Sequence, residues 1–110
     1  MRKFDTGATR DSDEGKPRYG GFFSPLAMQA YGEYMHQHRI QPDGSLRDAD
    51  NWKKGIPDRE LFESAFRHFE DWWLIEDGYE GRSSLREALC ALIFNAQARL
   101  HSECLKEDEC

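Results

Sequence analysis

Residues 58–77 constrain this chain most, because they concentrate large aromatic side chains at helical spacing. Leu61, Phe62, Ala65, Phe66, Phe69, Trp72 and Trp73 recur every three or four positions. At 100° per residue they fall within an arc of about 140°. Glu60, Glu63, Ser64, Arg67, Glu70 and Asp71 fall on the other side, with His68 at the border. Pro57-Asp58 marks the start of this helix and Gly78 its stop. A helix so aromatic on one side needs cover, and the remaining elements are expected to supply it.

Two further helices are legible. Ser24-Pro25 pairs a hydroxyl cap with a proline suited to the first helical position, and the pattern runs to about Arg39. His36 and His38 near its end point to different sides and read as solvated. The last helix starts after Ser83 or Ser84, with Glu87 spaced for a capping box, and extends to about Cys104. Leu85, Leu89, Leu92, Ile93, Ala96 and Leu100 line one side, while Cys90, Ala91, Phe94 and Ala98 lie largely opposite. A helix apolar on two sides is expected to be deeply buried, and three helices offer too little protein to bury it. The expectation is therefore a single all-α domain over residues 1–110, a small bundle of three main helices completed by homo-oligomerisation. Residues 1–20 read as an irregular segment and 105–110 as a frayed tail.

Composition narrows the partners. The chain has 110 residues, 38% apolar and 33% charged, with a net charge of −6. An acidic balance argues against general nucleic-acid binding, although a local basic pocket remains compatible with it. No apolar run approaches the ~18 residues that would span a bilayer, and the first residues lack a signal-peptide core. A cytoplasmic protein with no membrane partner is expected. Three cysteines without paired spacing point away from a disulfide framework or a zinc site, and Cys90 reads as a reduced core thiol.

Candidate chemistry gathers in two places. Between the first two main helices lie about seventeen residues, Gln41 to Pro57, with a turn signal at Pro42-Asp43-Gly44. In this connection Asn51 offers an amide, Trp52 a stacking platform, and Lys53 and Lys54 cations for phosphate, while Gly55 permits close backbone approach. The alternative for Trp52 is a plug in the core. On the second helix, Glu60, Glu63 and Glu70 share one side and are spaced to hold a divalent cation, or else form a solvated face. Asn95 is the single polar residue following the apolar run 88–94, and either bonds a carbonyl of a neighbouring helix or loop or reads a ligand base. Gly15-Lys16 is not a phosphate loop, because Arg10 stands at the first required glycine and Pro17 at the required hydroxyl.

Taken together, Phe4 to Asp11, Gly15-Lys16-Pro17-Arg18, Asn51 to Pro57, Arg67-His68 and Ala88-Leu89-Cys90 resemble the dATP/dGTP diphosphohydrolase N-terminal family of phages and prophages. That resemblance implies an all-α fold related to MazG-like pyrophosphatases, which bind Mg²⁺ through carboxylates on two facing helices and hydrolyse a nucleoside triphosphate to monophosphate and pyrophosphate. It implies a dimeric or larger assembly, a role in purine deoxynucleotide pools, and a host-cytoplasmic location. Carried onto this chain, the metal set is Glu60, Glu63 and Glu87 with Mg²⁺ or Mn²⁺, and Glu70 or Asp71 serves as general base. Lys53, Lys54 and Arg10 or Lys16 neutralise phosphates, with Arg67 and His68 nearby, Asn51 and Trp52 contact the base, and Asn95 keeps its two alternatives. The second carboxylate pair reads Glu87 and Cys90, with cysteine where the superfamily has aspartate. This departure motivates a second expectation, a protein that sequesters a nucleotide or nucleotide-derived immune signal without turnover. A third is a helical interaction protein with a protein partner.

Overall fold

A computed structural model describes residues 2–3, 5–7, 9–10 and 14–108. Phe4, Ala8, Asp11 and Cys110, which entered the reading above, lie outside the described residues. The chain is a small all-α bundle. Its elements are a two-residue antiparallel ladder, β1 (Arg2–Lys3) with β2 (Thr9–Arg10), and then helices α1 (Tyr19–Phe22), α2 (Pro25–Gln37), α3 (Asp58–Glu76) and α4 (Leu85–Asp108). The ladder and α1 correct the expectation that residues 1–20 hold no regular element. Helix α4 also continues four residues past Cys104, into what was read as a frayed tail. Ion pairs to Glu103 from Arg99 (3.4 Å) and Lys106 (3.7 Å) support that last turn.

The starts of the main helices follow the expected chemistry. The Ser24 hydroxyl accepts from the Ala27 N–H at 3.1 Å, with Pro25 in the first turn of α2. At α4, the Glu87 N–H donates to the Ser84 hydroxyl at 3.2 Å and the Glu87 carboxylate accepts from the Ser84 N–H at 3.3 Å, a reciprocal capping box.

Helices α3 and α4 form an antiparallel hairpin. At one end the Ser102 hydroxyl donates to Asp58 at 2.9 Å, and Arg99 and Lys106 approach the same carboxylate. At the other end Asp71 holds the connecting turn through Arg82 and Ser83. Gly81 is needed in that turn, since a Cβ there would lie 3.2 Å from the Ile75 side chain and 3.3 Å from the Asp71 carbonyl. Between the helices runs a seam of small buried residues on α4, Ala88, Ala91, Asn95 and Ala98, spaced by three and four. Helix α2 crosses α4, tied to it by the Tyr31 hydroxyl donating to Gln97 at 3.0 Å.

The inward side of α3 is not the aromatic one. Leu61 and Asp71 are buried, and Ser64, Ala65, His68, Trp72 and Ile75 are half-buried, whereas Phe62, Phe66, Phe69 and Trp73 are exposed. A seam of alanines draws the helix axes close together, and the facing side must then be small as well. Ser64 and Ala65 meet that demand beside Leu61, Trp72 and Ile75, and the four rings of Phe62, Phe66, Phe69 and Trp73 are left outside. Helix α4 is covered only in part within the single chain, as expected where three helices offer too little protein to bury it. Its small residues are buried, while Leu85, Ile93 and Leu100 are exposed. Cys90 is buried as expected, and burial pushes its thiol above the usual cysteine value, so it is protonated at neutral pH.

Candidate functional site

The connection 38–57 is built against the hairpin. The Asp43 carboxylate accepts from the Ser45 N–H at 2.9 Å and closes the Pro42-Asp43-Gly44 turn. The turn folds residues 39–41 back on 45–47. The Arg47 N–H donates to the Arg39 carbonyl at 2.8 Å, and Arg39 Nε donates to the Arg47 carbonyl at 2.8 Å. The chain then makes a single 3₁₀ turn, Asn51–Lys54. Gly55 ends it at φ 115°, ψ 123°, a conformation that a side chain at this position would strain. Pro57 follows and hands the chain to α3.

This turn places Trp52 against α4. Its ring meets Phe94 at 6.2 Å and His101 at 5.1 Å between centroids, both near perpendicular, and Lys53 Nζ lies 5.7 Å from the ring centroid. Between the end of α2, the connection and the hairpin opens a pocket of about 790 Å³, within the size range of small-molecule sites. Asn51, Trp52 and Lys54 line it from the connection, His68 from α3 and Asn95 from α4. Five of the residues marked from sequence, drawn from three elements, thus share one cavity.

Two polar groups stand in its inner wall. Asn95 is buried, and its Nδ2 donates to the Ala91 carbonyl one turn back at 2.8 Å. The bond stays within α4 and does not reach the carbonyl of a neighbouring helix or loop that was expected for this amide, and the Asn95 carbonyl oxygen takes no part in it. His68 Nδ1 is buried with no hydrogen-bond partner among the described residues. Burial lowers the His68 pKa most, with Arg67 and Arg82 adding to the effect and Asp71 opposing it, so the ring is neutral at pH 7. A buried ring nitrogen without a partner costs on the order of 1–3 kcal/mol.

The rim adds residues that the sequence reading passed over. His36, His38, Arg39 and Arg47 also line the pocket, giving a local basic edge on a chain of net charge −6. The signal was present: Arg39 and Arg47 lie four residues either side of Asp43, and a reversing turn brings such flanking positions together. The two histidines, read as solvated, are exposed but belong to this edge, His38 through its Nδ1 contact to the Tyr34 carbonyl at 2.9 Å.

Other expected site residues lie elsewhere. Lys53 packs on Trp52 outside the cavity, and Arg67 and Lys16 are exposed away from it. Arg10 falls on β2. Glu70 and Asp71 do not reach the pocket to act as a base. Asp71 is buried and accepts from the Arg82 N–H (3.1 Å), Arg82 Nε (3.0 Å) and the Ser83 hydroxyl (3.4 Å), which hold its carboxyl below the usual carboxylate range. Arg82 continues to Glu70 at 2.9 Å and to the Arg67 carbonyl at 2.9 Å. These two acids fasten the α3–α4 turn.

Glu60, Glu63 and Glu87 do not fit a shared Mg²⁺ or Mn²⁺ within this chain. Glu63 pairs with Arg59 at 2.8 Å, and Glu87 is engaged in the capping box with Ser84. Because the hairpin is antiparallel, Glu87 lies on the order of 15 Å along the axis from Glu63, at 1.5 Å per residue. No cluster of three His, Cys, Asp or Glu suited to a metal occurs among the described residues. Nor is any helix among them long and apolar enough to cross a membrane.

No family model, curated protein or solved structure matches this chain.

Proposed function

We propose that this chain binds a purine nucleotide in the pocket between the end of α2, the 51–55 turn and the α3–α4 hairpin. One observation carries the reading. Asn51, Trp52, Lys54 and His68, which belong to the segments that resemble a purine-nucleotide family in sequence, line a single cavity of suitable volume together with Asn95. In this arrangement Trp52 supplies the apolar surface for the base, while Asn51 and Asn95 offer amide groups to its edge. The phosphates lie towards Lys54, Arg39 and Arg47, where guanidinium groups suit bidentate contacts to phosphate oxygens.

Hydrolysis of dATP or dGTP to monophosphate and pyrophosphate is the second reading. It is favoured by the resemblance to the diphosphohydrolase family and by a neutral, unpaired His68 in the pocket wall, able to accept a proton. The separated carboxylates weigh on the side of binding without turnover, the sequestering role.

Calorimetry with dATP, dGTP, ATP and GTP, with and without Mg²⁺ or Mn²⁺, tests both readings when followed by chromatography of the recovered nucleotide. Binding is expected for purine nucleotides and is expected to weaken about tenfold or more in Trp52→Ala, the loss of one stacked aromatic. Intact nucleotide after long incubation supports sequestration, and accumulating monophosphate supports the hydrolase. No heat with any nucleotide overturns both.

A further inference from the structure

The side of the α3–α4 hairpin away from the pocket carries a line of large apolar side chains that the described residues leave uncovered. Phe62, Phe66, Phe69 and Trp73 stand at 54%, 62%, 47% and 61% exposure, on a line that repeats every three or four residues along α3. At 150–250 Å² for each aromatic side chain, they present roughly 450 Å² to solvent. Leu85, Ile93 and Leu100 of α4 are exposed on the same side. Together these approach the roughly 800 Å² that each partner contributes to a standard interface.

We propose that this face is a self-association surface, on which a second copy packs with the two α3 helices antiparallel about a two-fold axis between Phe66 and Phe69. The charges at the ends of the aromatic line choose the occupant and the direction. In that register Phe66 faces the partner's Phe69, and Phe62 faces the partner's Trp73. Arg59 then comes to the end of the partner's helix, where Glu76 and Asp77 lie. Arg59 already leans along the line, its guanidinium 4.9 Å from the Phe62 ring centroid. Beside Trp73 is a recess of about 450 Å³ lined by Glu70, Trp73, Leu74, Asp77 and Tyr79. Glu70 is already held by Arg82 at 2.9 Å, which leaves the Asp77 carboxylate with the Trp73 and Tyr79 rings as a receptor for a guanidinium, and Arg59 of the partner subunit is on the correct side to enter it. The exposed Arg59–Glu63 pair is worth only about 0.3–0.5 kcal/mol and does not hold Arg59 back. A parallel pairing would instead stack Arg59 on its own copy and the Glu76–Asp77 ends on each other, which like charges disfavour.

Sedimentation velocity over a wide concentration range, on the full chain and four variants, tests the proposal. The wild type is expected to associate. Phe66→Glu is expected to raise the dissociation constant about 30-fold or more, as loss of a central aromatic anchor does. Arg59→Glu and Asp77→Arg are each expected to weaken association about tenfold, and the double variant Arg59→Glu/Asp77→Arg to restore it. Phe66, Arg59 and Asp77 are exposed in the single chain, so circular dichroism is expected to show unchanged helix content in every variant. A wild type that stays monomeric throughout overturns the proposal and assigns the face to another partner. Wild-type association by Phe66→Glu overturns the surface, and a double variant as weak as Arg59→Glu overturns the antiparallel pairing.

Discussion

On the pocket side of the α3–α4 hairpin stand Ser64, His68, Phe94 and Asn95; on the far side stand Phe62, Phe66, Phe69 and Trp73. The first set is largely covered and partly polar, the second exposed and wholly aromatic. The tightest packing lies between the two faces, along a seam whose side chains are mostly alanines. In this chain burial follows size and fit rather than hydrophobicity. Small residues permit the close approach of α3 to α4, polar residues are admitted where a pocket gives them a use, and the large rings are left for a surface that one copy cannot cover.

The largest expected effect sharpens that contrast. Ala88 is fully buried in the seam. Ala88→Leu should overpack it and destabilise the chain by about 3 kcal/mol. Phe66→Ala, measured at a dilution where copies do not associate, should change stability by less than about 0.5 kcal/mol. Urea unfolding midpoints of the two variants give the comparison directly. If removing the phenyl ring proves as damaging as enlarging the alanine, the aromatic face is packed within the single chain and the contrast is lost.

These residues also show what was legible beforehand. The starts of α2 and α4 were readable because their caps are local chemistry: Ser24 and Ser84 bond within one turn, as does Asp43 in the turn of the connection. The 140° aromatic arc was equally readable, but which side of α3 faces inward depends on α4, whose alanine seam offers no strong signal in a sequence already rich in apolar residues there. The site divides in the same way. Asn51, Trp52, Lys54, His68 and Asn95 stood out because each is an unusual residue for its surroundings. Arg39 and Arg47 needed the fold of the connection, and the uses of Glu63, Glu70, Asp71 and Glu87 needed their partners, since a carboxylate spaced for a cation looks the same as one spaced for an arginine or a cap.

A smaller effect tests the turn that fixes the two faces relative to each other. Asp71→Ala removes the acceptor for the Arg82 N–H, Arg82 Nε and the Ser83 hydroxyl. Arg82 is half-exposed and keeps Glu70, so the expected loss is about 2 kcal/mol rather than that of a fully buried pair. The dependence on pH has a definite sign. Asp71 titrates below its ordinary value of 3.8 in the folded chain. Its contribution is therefore complete above that value and is lost as pH falls below it. Wild-type stability should decline in that acid range, and Asp71→Ala should decline less steeply. Equal slopes would mean that the carboxylate does not hold the turn.

The smallest expected effect separates the pocket wall from that turn by its pH window. His68 is also depressed in the folded chain, chiefly by burial and against the pull of Asp71, relative to an ordinary value of 6.5. The unfolded chain therefore takes up a proton first as pH falls through 6.5. The contribution of neutral His68 is full above that point and is lost as pH drops towards the lower folded value. This window opens at 6.5 and that of Asp71 at 3.8, so the two declines begin at different pH in one series of urea unfolding curves. His68→Gln retains hydrogen-bonding capacity without a titrating ring, and should flatten the upper decline while leaving the acid decline in place. A purine nucleotide held in the pocket should deepen the upper decline if His68 accepts a hydrogen bond from it, since protonation then costs a bond as well as burial. If bound nucleotide leaves that region unchanged while still stabilising the chain, the ligand is held by Trp52 and the basic rim alone, and His68 belongs to the packing of α3 rather than to the site.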